Sequence, residues 1–127
     1  MIRIIRQSKH SLNFYFDLDG VEKIVTVLQQ ALASNTLPPR VEVESSSNFT
    51  KAKAINYLIV SKNENENKIW YDSGSLILEI NSDEIDANLQ KFRECILGKD
   101  FYPAELFDMT LAKTGQEISL YGLLEKL

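Results

Sequence analysis

The chain has 127 residues, 44% of them hydrophobic and 25% charged, and a net charge of −4. That length suits one domain, 1–127, able to bury a core without staples, and the acidic balance argues against a general nucleic-acid binder, which needs a basic footprint to displace counterions. One cysteine, Cys95, excludes an internal disulfide and points to a reducing compartment. No apolar run approaches the ~20 residues of a membrane span, and the opening MIRIIRQSKH lacks a signal peptide's apolar centre, so a cytosolic protein is expected.

In chain order, Leu12, Phe14, Phe16 and Leu18 alternate with Asn13, Tyr15 and Asp17, the period of a half-buried strand. From Val21 the period lengthens. Val21, Ile24, Val25, Leu28 and Leu32 share one face of a helix that ends near Ser34-Asn35. Pro38-Pro39 then forces extended chain, and Val41 and Val43 alternate with Arg40, Glu42 and Glu44 in another strand. AINYLIV (54–60), apolar on both sides, reads as a central strand, SKNENENK as a polar surface tip and DSGS (72–75) as a hairpin turn.

Shifting the chain by 64 positions lays Leu12-Asn13-Phe14-Tyr15-Phe16 on Leu76-Ile77-Leu78-Glu79-Ile80, Asp19 on Asp83, Leu28 on Phe92, Pro39 on Pro103 and Tyr57 on Tyr121. The agreement lies in apolar phase, which a one-residue slip would invert. The expected fold is α+β: two pseudo-repeated strand–strand–helix–strand–strand units, about 1–63 and 64–127, forming one domain. Its sheet should be mainly antiparallel with two helices on it, because a single unit leaves a sheet face or edge open.

FYFDLDGV (14–21) resembles the nucleophile segment of the haloacid-dehalogenase superfamily of phosphotransferases. The resemblance implies Asp17 as nucleophile and Asp19 as acid/base, two apart at a strand end so that both reach one pocket. That family follows the motif with a mobile flap, where this chain starts a helix at once. It also needs a late carboxylate pair for magnesium, a pattern that NSDEID and GKDFYPAE do not supply. Asp19 and Asp83 both stand at helix starts, where a carboxylate caps free N–H groups and meets the positive end of the dipole. A cap or turn is therefore the reading of DLDG.

The remaining chemistry-bearing residues assemble no catalytic set, metal site or cofactor cradle. Cys95 lies by the apolar face of the second helix, and His10, the lone histidine, sits in a hairpin turn. ENEN lacks the glycine and terminal glutamate of a calcium loop. The sequon Asn48-Phe49-Thr50 has no meaning in a cytosolic protein.

What remains is a surface. With Leu12, Phe14, Phe16, Val41, Val43, Leu76, Leu78 and Ile80 facing the helices, the opposite sheet face carries Tyr15, Asp17, Glu42, Glu44, Ile77 and Glu79, together with Trp70 or Tyr71. Carboxylates among aromatic anchors suit a basic protein partner. Small, acidic α+β proteins of this kind, opening on a strand followed by a helix such as DLDGVEKIVTVLQQAL, resemble bacterial immunity proteins, as in contact-dependent growth inhibition. That resemblance implies a non-enzymatic inhibitor covering the active site of a cognate toxin, with nucleases the basic examples. Paired units of four strands and a helix also resemble the whirly and Pur-type single-strand-binding proteins, which implies Tyr15, Trp70 and Tyr71 as base-stacking residues; the carboxylates on the same face oppose that use.

Overall fold

The first apolar alternation folds back at Lys9-His10 into a hairpin, β1 (Ile2–Ser8) on β2 (Ser11–Phe16), in the computed structural model of the chain. The structure describes residues 1–33, 37–44, 48–50, 53–98 and 104–125, with backbone alone at 48–50, 53 and 104. Pro103 and the side chains of the Asn48 sequon therefore lie outside the described residues. The alternation stops at Phe16: Leu18, expected as its next inward residue, instead opens helix α1 (Leu18–Ala33) and is exposed. Val21, Ile24 and Leu28 are buried along the helix as their spacing requires, joined by Val27 and Ala31.

Four short strands follow, β3 (Arg40–Glu42), β4 (Asn48–Thr50), β5 (Lys53–Ala54) and β6 (Tyr57–Lys62). AINYLIV is thus divided, its last part forming β6. The second half runs β7 (Lys68–Asp72), β8 (Ser75–Ile80), α2 (Ser82–Gly98), β9 (Ala104–Leu111) and β10 (Glu117–Leu124). The β7–β8 turn is the hairpin expected of DSGS: Ser73 (φ 48°) and Gly74 (φ 86°) both take the left-handed conformation that matches strand twist.

The fold is the expected α+β domain with its strand–strand–helix pattern stated twice. Among the described residues, ten strands form one mixed sheet in the order β3-β6-β8-β7-β9-β10-β2-β1-β4-β5. Each hairpin is antiparallel, whereas the joints between halves are parallel. β6 runs beside β8, with Tyr57 opposite Ser75, and β10 beside β2, with Ser119 opposite Ser11. Tyr57 therefore corresponds to Ser119 and not to Tyr121, a slip of two residues from the ungapped shift. An even slip leaves every side chain on its own face, so the inward pattern survives. The β3 end of the order also approaches β1, since Glu44 N donates to Ile2 O at 2.9 Å and links the chain leaving β3 to β1.

Both helices pack on the sheet, and one core runs through both halves. Leu12, Phe14 and Phe16 of β2, Leu58 and Val60 of β6, Leu76, Leu78 and Ile80 of β8, and Ile118 and Leu120 of β10 are all buried against it. Phe16 meets Phe92 of α2 edge to face, ring centroids 5.5 Å apart. Cys95 is buried there as a small hydrophobe. Among the described residues no helix is long and apolar enough to cross a membrane.

One glycine is fixed by its surroundings. A Cβ on Gly20 would lie 2.1 Å from the Met1 carbonyl oxygen and 3.1 Å from Phe16 Cβ. Helix propensity alone would reward Gly20→Ala by about 1 kcal/mol, but here the added methyl must displace backbone. We expect Gly20→Ala to destabilise the protein by about 1–3 kcal/mol, as overpacking does, read as a lower urea midpoint at unchanged m-value.

Candidate functional site

Outward residues of the sheet follow from the registers. On the four strands β3, β6, β8 and β7 they form rows: Arg40, Ile59, Ile77 and Trp70 lie in register, as do Glu42, Tyr57, Ser75 and Asp72, while Glu79 stands between Ser61 and Lys68. Ile59, Ile77, Trp70 and Tyr57 are half-buried, so three adjacent strands present an apolar and aromatic strip bordered by charge. Arg40 lies over the Tyr57 ring, its guanidinium carbon 4.5 Å from the centroid. Lys68 pairs with Glu66 at 3.1 Å.

The residues singled out in the sequence divide between several places. Glu42, Trp70 and Glu79 share this strip. Glu44 is exposed just beyond β3. Tyr71 alternates to the other side, packing against the core and accepting a hydrogen bond from Gly74 N at 2.9 Å; Trp70 is thus the outward member of the pair. Tyr15 lies in the other half, on β2, opposite Arg3 of β1 and Leu123 of β10. Its ring takes the Arg3 guanidinium carbon at 5.0 Å, and its hydroxyl oxygen accepts from Gln7 and Asn13 at 3.2 Å each. Arg3 is also paired with Glu125. Sequence reading did not single out Tyr57 and Ile59, because a strand apolar on both sides reads as central, nor Arg40, which it placed only in the alternation of β3.

Asp17 is not on the outer face at all. It is the N-cap of α1, where Oδ1 accepts from Gly20 N at 2.8 Å and from the Met1 ammonium at 2.7 Å. Asn81 does the same for α2, accepting from Asp83 N at 2.9 Å. The capping expected of Asp19 and Asp83 thus belongs two residues earlier, to Asp17 and Asn81. Asp19 stands in the helix's first turn with Lys23 at 3.2 Å and the Met1 ammonium at 3.9 Å. The two carboxylates of DLDG do converge, and the cation between them is the chain's own α-ammonium. Hydrogen bonding from that ammonium is the largest effect and outweighs burial, the next, which acts the other way; with the lesser help of the Gly20 N–H it holds the Asp17 carboxyl below the usual carboxylate range.

A second acidic feature was not legible in the sequence. On β9 the Glu105 carboxyl is pushed up by its hydrogen bond to, and repulsion from, Asp108. Asp108 is held down by hydrogen bonds from Glu105 and from the Ser119 hydroxyl at 2.7 Å. Likewise, the ENEN tip is more than a solvated turn. Asn67 donates to Glu84 and to Asp108 O (3.1 Å) and accepts from Asn81 N (2.9 Å), tying the tip to α2 and β9.

Among the described residues no group of three or more His, Cys, Asp or Glu side chains is placed to hold a metal ion. A core void of about 20 Å³ is lined only by apolar side chains, including Phe14, Leu78 and Phe92. A larger open groove of about 560 Å³ lies between α1 and β3. Comparison with protein-family models, with curated proteins and with solved structures returns no match.

The Asp17 geometry has a pH signature. Because its folded pKa is depressed, its ion pair contributes fully above the unfolded carboxylate value of ~3.9 and is lost as pH falls through the lower folded value. We expect Asp17→Asn, which keeps a competent cap, to lower stability at pH 7. It should also flatten the loss of stability as pH falls below about 4, measured by urea unfolding at each pH.

Proposed function

We propose that this chain is a non-enzymatic, protein-binding inhibitor of the immunity type, which neutralises a cognate basic toxin, a nuclease being the best fit, by covering its active site. The observation that carries this reading is the strip of Tyr57, Ile59, Ile77 and Trp70 on the solvent side of the sheet, with Glu42, Asp72 and Glu79 on its borders. A solvated sheet face ordinarily alternates to polar residues; half-buried aromatic and aliphatic anchors inside a charged rim are the anatomy of an interface. Carboxylates at the rim compete with phosphate for a basic cleft and speed capture of a cationic partner. A cytosolic location goes with this role. Asp17 is assigned to the helix cap and ammonium pair, so no phosphoryl transfer is assigned to DLDG.

A second reading rests on the stacked Arg3–Tyr15 and Arg40–Tyr57 pairs, which are single-strand-binding chemistry. It places bases where Glu42, Asp72 and Glu79 would repel phosphate, and is the weaker for that.

The test begins with pull-down from the native host, followed by binding measurements on the captured partner at several salt concentrations. Trp70→Ala is expected to weaken binding by about 2 kcal/mol or more, as a central anchor does. Reversing Glu42 and Glu44 to lysine should slow association and flatten its salt dependence. Unchanged affinity in both variants would remove this face from the interface. Tight, salt-sensitive retention of single-stranded RNA or DNA on a filter would favour the second reading instead.

A further inference from the structure

The two halves of the sheet treat equivalent edges differently. Glu44 N bonds to Ile2 O in the first half and Thr110 N to Asn67 O in the second. Matching the halves on these bonds sets Arg40 and Glu42 of β3 against Leu106 and Asp108 of β9. Beyond each bond the two strands part, leaving an edge that faces away from its own hairpin partner. In the second half side chains fill that edge: Asn88 donates to Leu106 O at 2.9 Å, Asn67 to Asp108 O at 3.1 Å and Lys91 to Glu105 O at 3.5 Å.

Among the described residues of the first half no side chain donates to the carbonyl of Arg40 or Glu42. The positions of α1 that match Asn88 and Lys91 are Ile24 and Val27, which can donate nothing from their side chains. Val60 N donates to Pro39 O and Val43 N to Asn56 O, so the odd-numbered residues of this strand face β6. The N–H and C=O groups of Arg40 and Glu42 consequently face away from it, by the alternation of an antiparallel ladder. They border the groove of about 560 Å³ lined by Asp19, Glu22, Lys23, Thr26, Val27 and Gln30 on α1 and Arg40, Val41 and Glu42 on β3, and no residue of β6 lines it. Of the charges there, Lys23 is paired with Asp19 and Arg40 is stacked on Tyr57. Glu22 and Glu42 carry no ion pair among the described residues.

We propose that this groove receives an extended segment of a partner polypeptide, which adds to β3 as a further strand through the backbone of Arg40 and Glu42 and sets a basic side chain against Glu22 and Glu42. Backbone pairing supplies the register, and every second residue of the incoming strand meets the acidic walls. The site shares Arg40 and Glu42 with the border of the Trp70 strip but takes its partner at the strand edge beside α1, and it stands whether or not the inhibitory reading does.

The experiment titrates ¹⁵N-labelled protein with a blocked pentapeptide alternating lysine and valine, and with its glutamate–valine counterpart. The lysine peptide is expected to shift the Arg40 and Glu42 amide resonances and slow their hydrogen exchange by roughly tenfold. The glutamate peptide should bind at least about fivefold more weakly. Glu42→Pro removes one outward N–H and spares the bonds of Val41 and Val43 to β6, a substitution that sheet edges tolerate. It should reduce affinity about five- to tenfold, the worth of one backbone hydrogen bond and more, without lowering the melting temperature, whereas Val41→Pro, which deletes an inward N–H, should lower it. Trp70→Ala should leave peptide affinity unchanged. Equal binding of both peptides, full binding by Glu42→Pro, or shifts confined to other residues would overturn the proposal; should Glu42→Pro not fold, the exchange measurement on the unaltered protein decides it.

Discussion

The reciprocal parallel pairing of the halves is the constraint on which the rest of the structure depends. Each half sends its final strand to lie beside the second strand of the other, β6 on β8 and β10 on β2. A four-stranded unit with one helix would leave the inward faces of those strands half covered. Reciprocal exchange puts Leu58 and Val60 next to Leu76 and Leu78, and Leu120 next to Leu12, so that both halves contribute to one core. The joint also creates the candidate surface. Ile59 neighbours Ile77, and through it Trp70, only because β6 runs parallel to β8 in this register; a one-residue slip would turn Ile59 inward and expose Leu58 and Val60.

How much of this was legible follows from the range of each interaction. Strand phase is local: Leu12, Phe14 and Phe16 had to share a face, as did Leu76, Leu78 and Ile80, and they do. The two-residue turn at Ser73-Gly74 is equally local. The repeat was legible because its equivalence survives an even slip, although Tyr57 then corresponds to Ser119. Helix starts were legible only approximately. Leu18 continues the strand's apolar alternation, yet Asp17 caps the helix before it, because the Met1 ammonium sixteen residues away fixes the Asp17 carboxylate. The outward role of Ile59 is non-local in the same sense. A strand apolar on both sides looks buried in sequence, and only its neighbours in the sheet reveal that one of those sides is open. The Glu105–Asp108 pair fails on similar grounds, since neither residue belongs to a segment whose period announces a strand.

The DLDG motif shows how little a short match says without its surroundings. Two carboxylates at the end of a strand are an arrangement that binds cations wherever it occurs, and here it binds one. The cation is the Met1 ammonium, and the strand end is occupied at the same time by the first turn of α1, whose Gly20 N–H takes the other share of Asp17 Oδ1. Gly20 lets the Met1 carbonyl approach the helix, so the ammonium, the cap and the close approach form one local unit. Both contacts of Asp17 Oδ1 hold β1 against the first turn of the helix.

Pseudo-symmetry makes the differences between the halves more informative than their likeness. Where both halves need the same interaction to close the core, they have it: paired caps at Asp17 and Asn81, paired parallel joints, paired bonds from Glu44 and Thr110. Core closure therefore cannot account for Asn88, which buries an amide at a helix position where Ile24 serves the other half. A buried amide costs stability unless it is bonded; the Oδ1 of this one is buried with no partner among the described residues, while its Nδ2 donates to the carbonyls of Glu84 and Leu106. Its effect is to satisfy an edge that would otherwise be open, the protection that exposed strands usually require. The first half carries the apolar residue, gains its packing, and leaves the edge of β3 beside a charged groove. The asymmetry between Asn88 and Ile24 is the difference on which the proposed strand addition at β3 rests.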